Sequence, residues 1–586
     1  MEMSPKRLPR LARTVAHLRP SQIFWRGRYA LRRRYSSQSH SLSVPGLVNA
    51  CHSDWLTRLR QQDFPTAPSA GSLANENAVV ESLSQGIFRH LNQERRLGRP
   101  PDWLLGPRNE GRLWTVTLHY HQWAMELAAI AANGGAPAAQ ASELYREYLS
   151  DWIERCDLSH PGAHHLAWNS YAIGTRLDCW GSSALRLGSA WWLDNPQFAE
   201  RFLSSFWRQA QHLANNIEWD LRANHLVRDA VGLAWAGRFF GDSNAPRWLS
   251  QAAELALDQA GEQVLADGGH FERSPMYHLH VMHDFERLSQ LIKDRSVKDQ
   301  LKSTVDRMQG FATWMLHPDR GLVLFNDAAL GEAPPLLDTV PPQPATLPRG
   351  GRHFADTGIA VWHGTKWTIF FDVGPIGPDY QPGHGHADNL TLECSYDGER
   401  LFVDPGTHSY DRDERRAYDR STAAHNTVCV DEADSSEVWH IFRVGRRARP
   451  IDVNVVSGAT SFDASAGHDG YRHLGGVIHR RRVLLTDDET LIITDRIEGN
   501  GSHKLEGGWL LAPRWTATPT EGGWRLQHAG RSVRVRLQGP SHLQLSLETK
   551  PWHPRFGVEI PTTRLVWRYE GELLFELKTS VVPQTK

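Results

Sequence analysis

GEAPPLLDTVPPQPATLPRGG, residues 331–351, divides the chain. Proline this dense neither continues a helix nor fills a central strand, so the stretch predicts a Pro-rich linker, taken as 336–351. The text changes period across it. Before the linker, apolar residues recur every three or four positions, as in LWTVTLHYHQWAMELAAIAANGG (113–135), PQFAERFLSSFWRQAQHLANNI (196–217) and APRWLSQAAELALDQAGEQVLADGG (245–269). Gly or Pro ends these runs, which predicts paired antiparallel helices over 46–335. After it, GIAVWHGTKWTIFFDVG (358–374), NLTLECSYDGERLFVDPG (389–406) and VIHRRRVLLTDDETLIITDRIEG (477–499) read as strands between Gly, Asp and Asn turns. Helices followed by strands mean a multidomain α+β chain, with a large antiparallel β-sandwich over 352–586.

The chain has 586 residues, too many for one core. A net charge of −1 gives no global basic field, so nucleic acid is not expected as a partner and an anionic ligand must be held locally. The 23 Trp offer flat apolar faces that suit sugar rings as well as ordinary cores, and the 30 His offer proton transfer and metal ligation. Five scattered Cys without a CxxC argue against a disulfide framework and a Cys-based zinc site. Residues 1–45 form a basic arm carrying Lys6, Arg7, Arg10, Arg13, Arg19, Arg26, Arg28, Arg32, Arg33 and Arg34. No signal-peptide core follows, and no stretch is long and apolar enough for a transmembrane helix. A cytoplasmic location is therefore expected, with a periplasmic one as the alternative. The arm reads as a solvated basic helix, with a peripheral membrane or partner contact as the second reading.

Three stretches carry chemistry. In RANHLVRDAVGLAWAGRFF (222–240), Asn224 and His225 open an apolar helical run, where a polar pair can cap a helix. In DGGHFERSPMYHLHVMHDFERL (267–288), Ser274-Pro275 predicts a helix start. Tyr277 then falls in the first turns with Arg273 nearby in sequence, and a cation beside a phenol favours the phenolate. In QPGHGHADNLTLECSYDGERLFVDPGTHSY (381–410), His384 and His386 alternate as if on one face of a strand. Asp404 follows one hairpin later and His425 comes next, in STAAHNTVCVDE (421–432). His386, Asp404 and His425 make a donor set suited to Zn²⁺, although such residues often form hydrogen-bond networks instead.

ANHLVRDAVGLAWAG, GGHFERSPMYH, LFNDAA, GHGHADNLTLE, FVDPGTHSY and RSTAAHNTVCVDEADSSEVW resemble the heparinase II/III superfamily, and WNSYAIGTRLDCW (168–180) fits its N-terminal half. The resemblance implies an N-terminal incomplete (α/α) toroid before the antiparallel β-sandwich. It implies a polysaccharide lyase that cleaves uronate polymers by β-elimination. By motif position it gives Asn224 and His225 the carboxylate-neutralising and catalytic roles, Tyr277 and His384 further catalytic roles, and His386, Asp404 and His425 a structural metal. Two features depart from the pattern: Asp229 stands where members often have Asn, and the basic arm resembles lyase-like proteins of exopolysaccharide production rather than secreted degradative members.

β-Elimination removes the C5 proton of a uronate and expels the oxygen at C4. Donors aimed at the carboxylate stabilise the enolate-like transition state more than the ground state. Tyr277 can take and return the proton if both groups lie on one face of the sugar; on opposite faces His225 or His384 is the base and Tyr277 the acid. Arg176, Arg222, Arg273, Glu272 and Trp168 are the substrate-binding candidates. Two rival readings remain at this stage. One is a non-catalytic polysaccharide-binding or assembly protein, which would not require Asn224, Tyr277 and His384 together. The other is a glycoside hydrolase on an (α/α) barrel, which would use paired carboxylates such as Glu272 and Asp229.

Overall fold

The computed structural model describes residues 7–35, 54–60, 64, 75–105, 111–160, 162–241, 247–334, 336, 347–458 and 461–584. Most of the Pro-rich linker and Cys51 lie outside them. Packing separates two units: Arg19–Glu262 with His283–Val305, and Met1–Leu18 with Gln263–Met282 and Asp306–Lys586.

The first unit is helical. Its central helix, Ser170–Leu193, starts at an Asn169 cap whose side chain accepts from the Ala172 amide, and it is interrupted at Gly188. The helix Asn224–Phe240 packs on it closely enough that a Cβ on Gly181 would meet the Trp235 ring at 2.4 Å. Trp103, Trp123, Trp152, Trp180, Trp192 and Trp235 fill this core. Seventeen of the chain's 23 Trp are buried, so the Trp enrichment mainly builds cores rather than sugar platforms.

The second unit is built on antiparallel sheets. A five-stranded meander runs Gly350–Phe354, Ile359–His363, Trp367–Asp372, Leu392–Tyr396 and Glu399–Phe402. Ile359–His363 and Trp367–Asp372 are buried at every position, on both faces. An eight-stranded sheet and a four-stranded sheet complete the β structure. In the eight-stranded sheet, Leu491–Glu498 buries alternate residues, as a half-covered sheet should. Trp367, Phe371, Leu392 and Phe402 share one core with Val483, Ile493, Trp509 and Leu526.

Residues from the end of the helical sequence join this unit because they cover the meander. Phe311 and Trp314, from the helix Arg295–Trp314, pack on Phe354, and Trp314 also meets His363. Cys156, Cys179, Cys394 and Cys429 are free and buried. Among the described residues no helix is long and apolar enough to cross a membrane.

Candidate active site

In the sheet-bearing unit, the helix Pro275–Leu291 begins where the sequence places it. Ser274 caps it, its Oγ accepting from the Tyr277 amide at 3.2 Å while donating to the Asp327 carbonyl. This first turn presents the Tyr277 ring, which stacks on His384 with centroids 3.7 Å apart. The Tyr277 hydroxyl lies 3.0 Å from the Tyr410 hydroxyl. The cation expected beside Tyr277 is elsewhere: the Arg273 guanidinium donates to the carbonyls of Thr357, Phe271 and Asp356.

His384 and His386 are not on a strand. They sit in the irregular stretch before Leu392–Tyr396, and both reach Asp327, one to each oxygen at 2.9 Å. Arg416, from the short helix Glu414–Arg420, donates to the same two oxygens. Asn326, at φ +59, accepts from the His386 amide and donates to the Arg273 carbonyl. Asn tolerates this left-handed conformation better than most residues.

Burial alone would push Asp327 up, but the Arg416 charge and the hydrogen bonds from both imidazoles outweigh it and hold the carboxyl well below the usual range. An ionised carboxylate only accepts, so His384 donates through Nδ1 and His386 through Nε2. Burial also pushes His386 down to about 3, so its ring is neutral. Tyr410 moves the other way, well above 10, through burial and the nearby Asp327 charge.

Among the proposed metal ligands, His425 Nδ1 meets Asp404 at 2.7 Å and its Nε2 donates to the Asp419 carbonyl. Burial opposes charge on His425, but Asp404 overrides it and lifts the imidazole to about 9. Among the described residues, no three His, Cys, Asp or Glu side chains are grouped to hold a metal ion as they stand. The donor chemistry nevertheless suits one. His386 Nδ1 is buried without a hydrogen-bond partner, and the Nε2 atoms of His386 and His425 are each anchored on an oxygen, as ligating imidazoles usually are.

In the helical unit, Arg222 and Ala223 both have positive φ, +64 and +55, immediately before Asn224. Strain of this kind costs about 1–3 kcal/mol per residue and persists where a position is over-determined. Asn224 is not the cap: that place is Ala223's, with no side-chain cap bond. Asn224 Oδ1 is instead buried with no hydrogen-bond partner. His225 points Nδ1 at Glu218 Oε2, 2.8 Å away, and its ring packs on Tyr171. Glu218, Asp327, Arg416 and Tyr410 were not singled out from sequence. LFNDAA and FVDPGTHSY, the motifs holding Asp327 and Tyr410, were the available signal.

Several binding candidates prove to have internal work. Arg176 is fully buried, its guanidinium held by Gln209 and the carbonyls of His119 and Ala167 over the Trp152 ring. That corrects its assignment to the polyanion. Trp168 is buried too, its indole N–H donating to the Cys156 carbonyl. Arg222 is paired with Glu262, and Glu272 is buried near His270.

A toroid of helices followed by an antiparallel sandwich is the build of the heparinase-type polysaccharide lyases, carbon–oxygen lyases acting on polysaccharides. The family is shown directly. Residues 56–341 match the heparinase II/III N-terminus and residues 346–581 the heparinase II/III-like C-terminal domain, so the chain belongs to the heparinase II/III family. A heparin-sulfate lyase of Bacteroides stercoris is 22% identical over 469 residues, 72% of this chain and 67% of that protein. The FtsZ-localized protein C of Caulobacter vibrioides is 22% identical over 408 residues, 67% of this chain and 65% of that protein. A crystal structure of heparinase III superposes with a TM-score of 0.73 at 16% identity, covering 93% of this chain and 92% of that one, which shows the shared fold.

Asp229, the departure from the family pattern, accepts the Glu218 amide through Oδ2 and is fully buried. Burial first, then the Glu218 charge, pushes its carboxyl well above the usual range, so it serves as a neutral side chain much as Asn would. The unfolded chain ionises this group from about pH 4 while the folded chain resists, so its contribution to stability is full below that pH and is lost as pH rises toward the folded value. In thermal melts from pH 4 to 8, Asp229→Asn is expected to match the wild type at the acid end and to exceed it at pH 8; parallel curves would contradict the neutral assignment.

Proposed function

We propose that this chain cleaves a uronic-acid-containing polysaccharide, of the exopolysaccharide type, by β-elimination, leaving a 4,5-unsaturated uronate end. The stacking of Tyr277 on an Asp327-anchored His384 carries the reading. Burial and the Asp327 charge keep Tyr410 protonated, and its hydroxyl lies 3.0 Å from that of Tyr277, where it can donate to a Tyr277 phenolate. As the phenolate, Tyr277 takes the proton from C5, and as the phenol so formed it gives that proton to the departing C4 oxygen, which returns it to the phenolate. His384, its Nδ1 fixed on Asp327, keeps one ring orientation and offers Nε2 to the substrate. Asn224 is assigned to the uronate carboxylate by its place in the family motif, with its Nδ2 as the donor, and His225, oriented by Glu218, assists it. Fixed donors cost no reorganisation when charge develops, and each is worth about 3 kcal/mol in the transition state.

His386, Asp404 and His425 would hold a divalent cation, Zn²⁺ by donor type, which when bound supplies a cross-link between loops rather than a step of the reaction. His386 is two residues from His384, so the cross-link would stiffen the catalytic loop.

The support from relatives is that a protein named heparin-sulfate lyase aligns with 72% of this chain at 22% identity. The relative named FtsZ-localized protein C carries no enzyme name, which keeps the assay necessary.

Two experiments test the proposal. Ultraviolet absorbance should rise during incubation with at least one of heparan sulfate, hyaluronan, alginate, glucuronan or a bacterial acidic exopolysaccharide. Tyr277→Phe should lower that rate by about 10²–10⁴-fold with the fold intact. No absorbance on any polymer alongside retained binding would give the binding-protein reading instead. For the cation, elemental analysis of purified protein should find about one equivalent of zinc, lost in Asp404→Asn with a lower melting temperature. A wild-type protein purified in the presence of zinc yet free of any divalent metal would remove it from the account.

A further inference from the structure

The N-terminal arm has its helices the wrong way round for a solvated surface. In Arg7–Val15 the inward residues are polar. Arg10 and Arg13 bind Glu437, and Thr14 Oγ1 accepts from the Trp439 indole at 3.1 Å. Leu8, Leu11 and Val15, spaced three and four apart, form a ridge on the other side and are 56%, 37% and 40% exposed. In Pro20–Tyr35, Gln22 is buried and donates to the Asp220 carbonyl, Trp25 stacks on Trp219, and Tyr29 donates to the Ile217 carbonyl. Ile23, Phe24 and Leu31 of the same helix are exposed. Six of the twelve exposed large hydrophobic residues among the described residues therefore fall within the arm. A helix of a soluble domain normally shows the reverse arrangement.

Residues 1–35 also carry ten Lys and Arg against a single acidic residue, Glu2, in a chain whose net charge is −1. Apolar ridges on a segment whose sequence is this basic fit a surface that is anionic outside and apolar just beneath. We propose that the arm docks the protein on an anionic phospholipid bilayer, each helix by its own apolar ridge: Leu8, Leu11 and Val15 in the first, and Ile23, Phe24 and Leu31 in the second. An acidic polysaccharide would match the charge but leave the leucines in water. A bilayer takes a convex ridge without needing a complementary groove. The polar contacts to Glu437, Trp439 and Asp220 hold each helix with its apolar side outward.

The test is flotation of the full chain with vesicles of phosphatidylglycerol and phosphatidylcholine in equal parts, beside vesicles of phosphatidylcholine alone. Wild type should float with the anionic vesicles and fall by about tenfold on the neutral ones or in high salt. Leu8→Gln/Leu11→Gln/Phe24→Gln should cost about tenfold on anionic vesicles, with circular dichroism and melting temperature unchanged. The milder Leu11→Ala alone should show a smaller loss in the same direction, which keeps the test valid if the triple variant misfolds. Absence of flotation, or binding that the apolar substitutions leave untouched, would overturn the proposal. Absence of flotation together with a dimer in sedimentation that the triple variant abolishes would assign the ridge to a second copy of the chain.

Discussion

Asp327 is the constraint on which the cluster of catalytic candidates in the sheet-bearing unit depends. Its carboxylate is completely buried, and an ionised group there costs several kcal/mol unless every lone pair is engaged. Arg416, His384 and His386 supply that engagement from positions 89, 57 and 59 residues away along the chain. Each partner is fixed in return. Arg416 lies over the Tyr410 ring, Tyr410 meets Tyr277, and Tyr277 stacks on His384. The circuit closes on the carboxylate it began from. Removing either charge would leave the other buried and unpaired, so the network holds its geometry as a unit.

The helical unit reaches preorganisation by a different route. Two residues with positive φ and an amide oxygen without a partner precede and open the helix Asn224–Phe240. Both are costs that packing alone gives no reason to keep. Close packing on Ser170–Leu193 through Gly181 secures the helix whose first turn bears them. Asp229 contributes as a neutral hydrogen-bond acceptor that holds the Glu218 amide, and Glu218 orients His225.

What could be read from the sequence was what local chemistry decides. The change of period at the Pro-rich stretch separated helices from strands, and Ser274-Pro275 marked a helix start to the residue. His384 and His386 were found, but for a reason the structure replaces. Their two-residue spacing is not a strand face; it delivers two rings to the two oxygens of one carboxylate. Asp327 was not legible as the centre, because its role exists only through contacts distant in sequence. Arg176 misled for the converse reason: nothing local tells a ligand-binding arginine from one buried under Trp152. The Trp count left sugar faces and cores both open, and burial decides for the core in most cases.

The central claim is that the bond at C4 is broken by elimination and not by water. Digestion of the responsive uronate polysaccharide in ¹⁸O-labelled water, followed by mass spectrometry of the fragments, tests it most directly. Elimination predicts that, before anomeric exchange with the solvent, neither new end carries ¹⁸O, and that the fragment bearing the new non-reducing end is lighter by one water than its hydrolysis counterpart. Prompt incorporation of one ¹⁸O per cleavage with no fragment lighter by one water would contradict the account and make the enzyme a hydrolase.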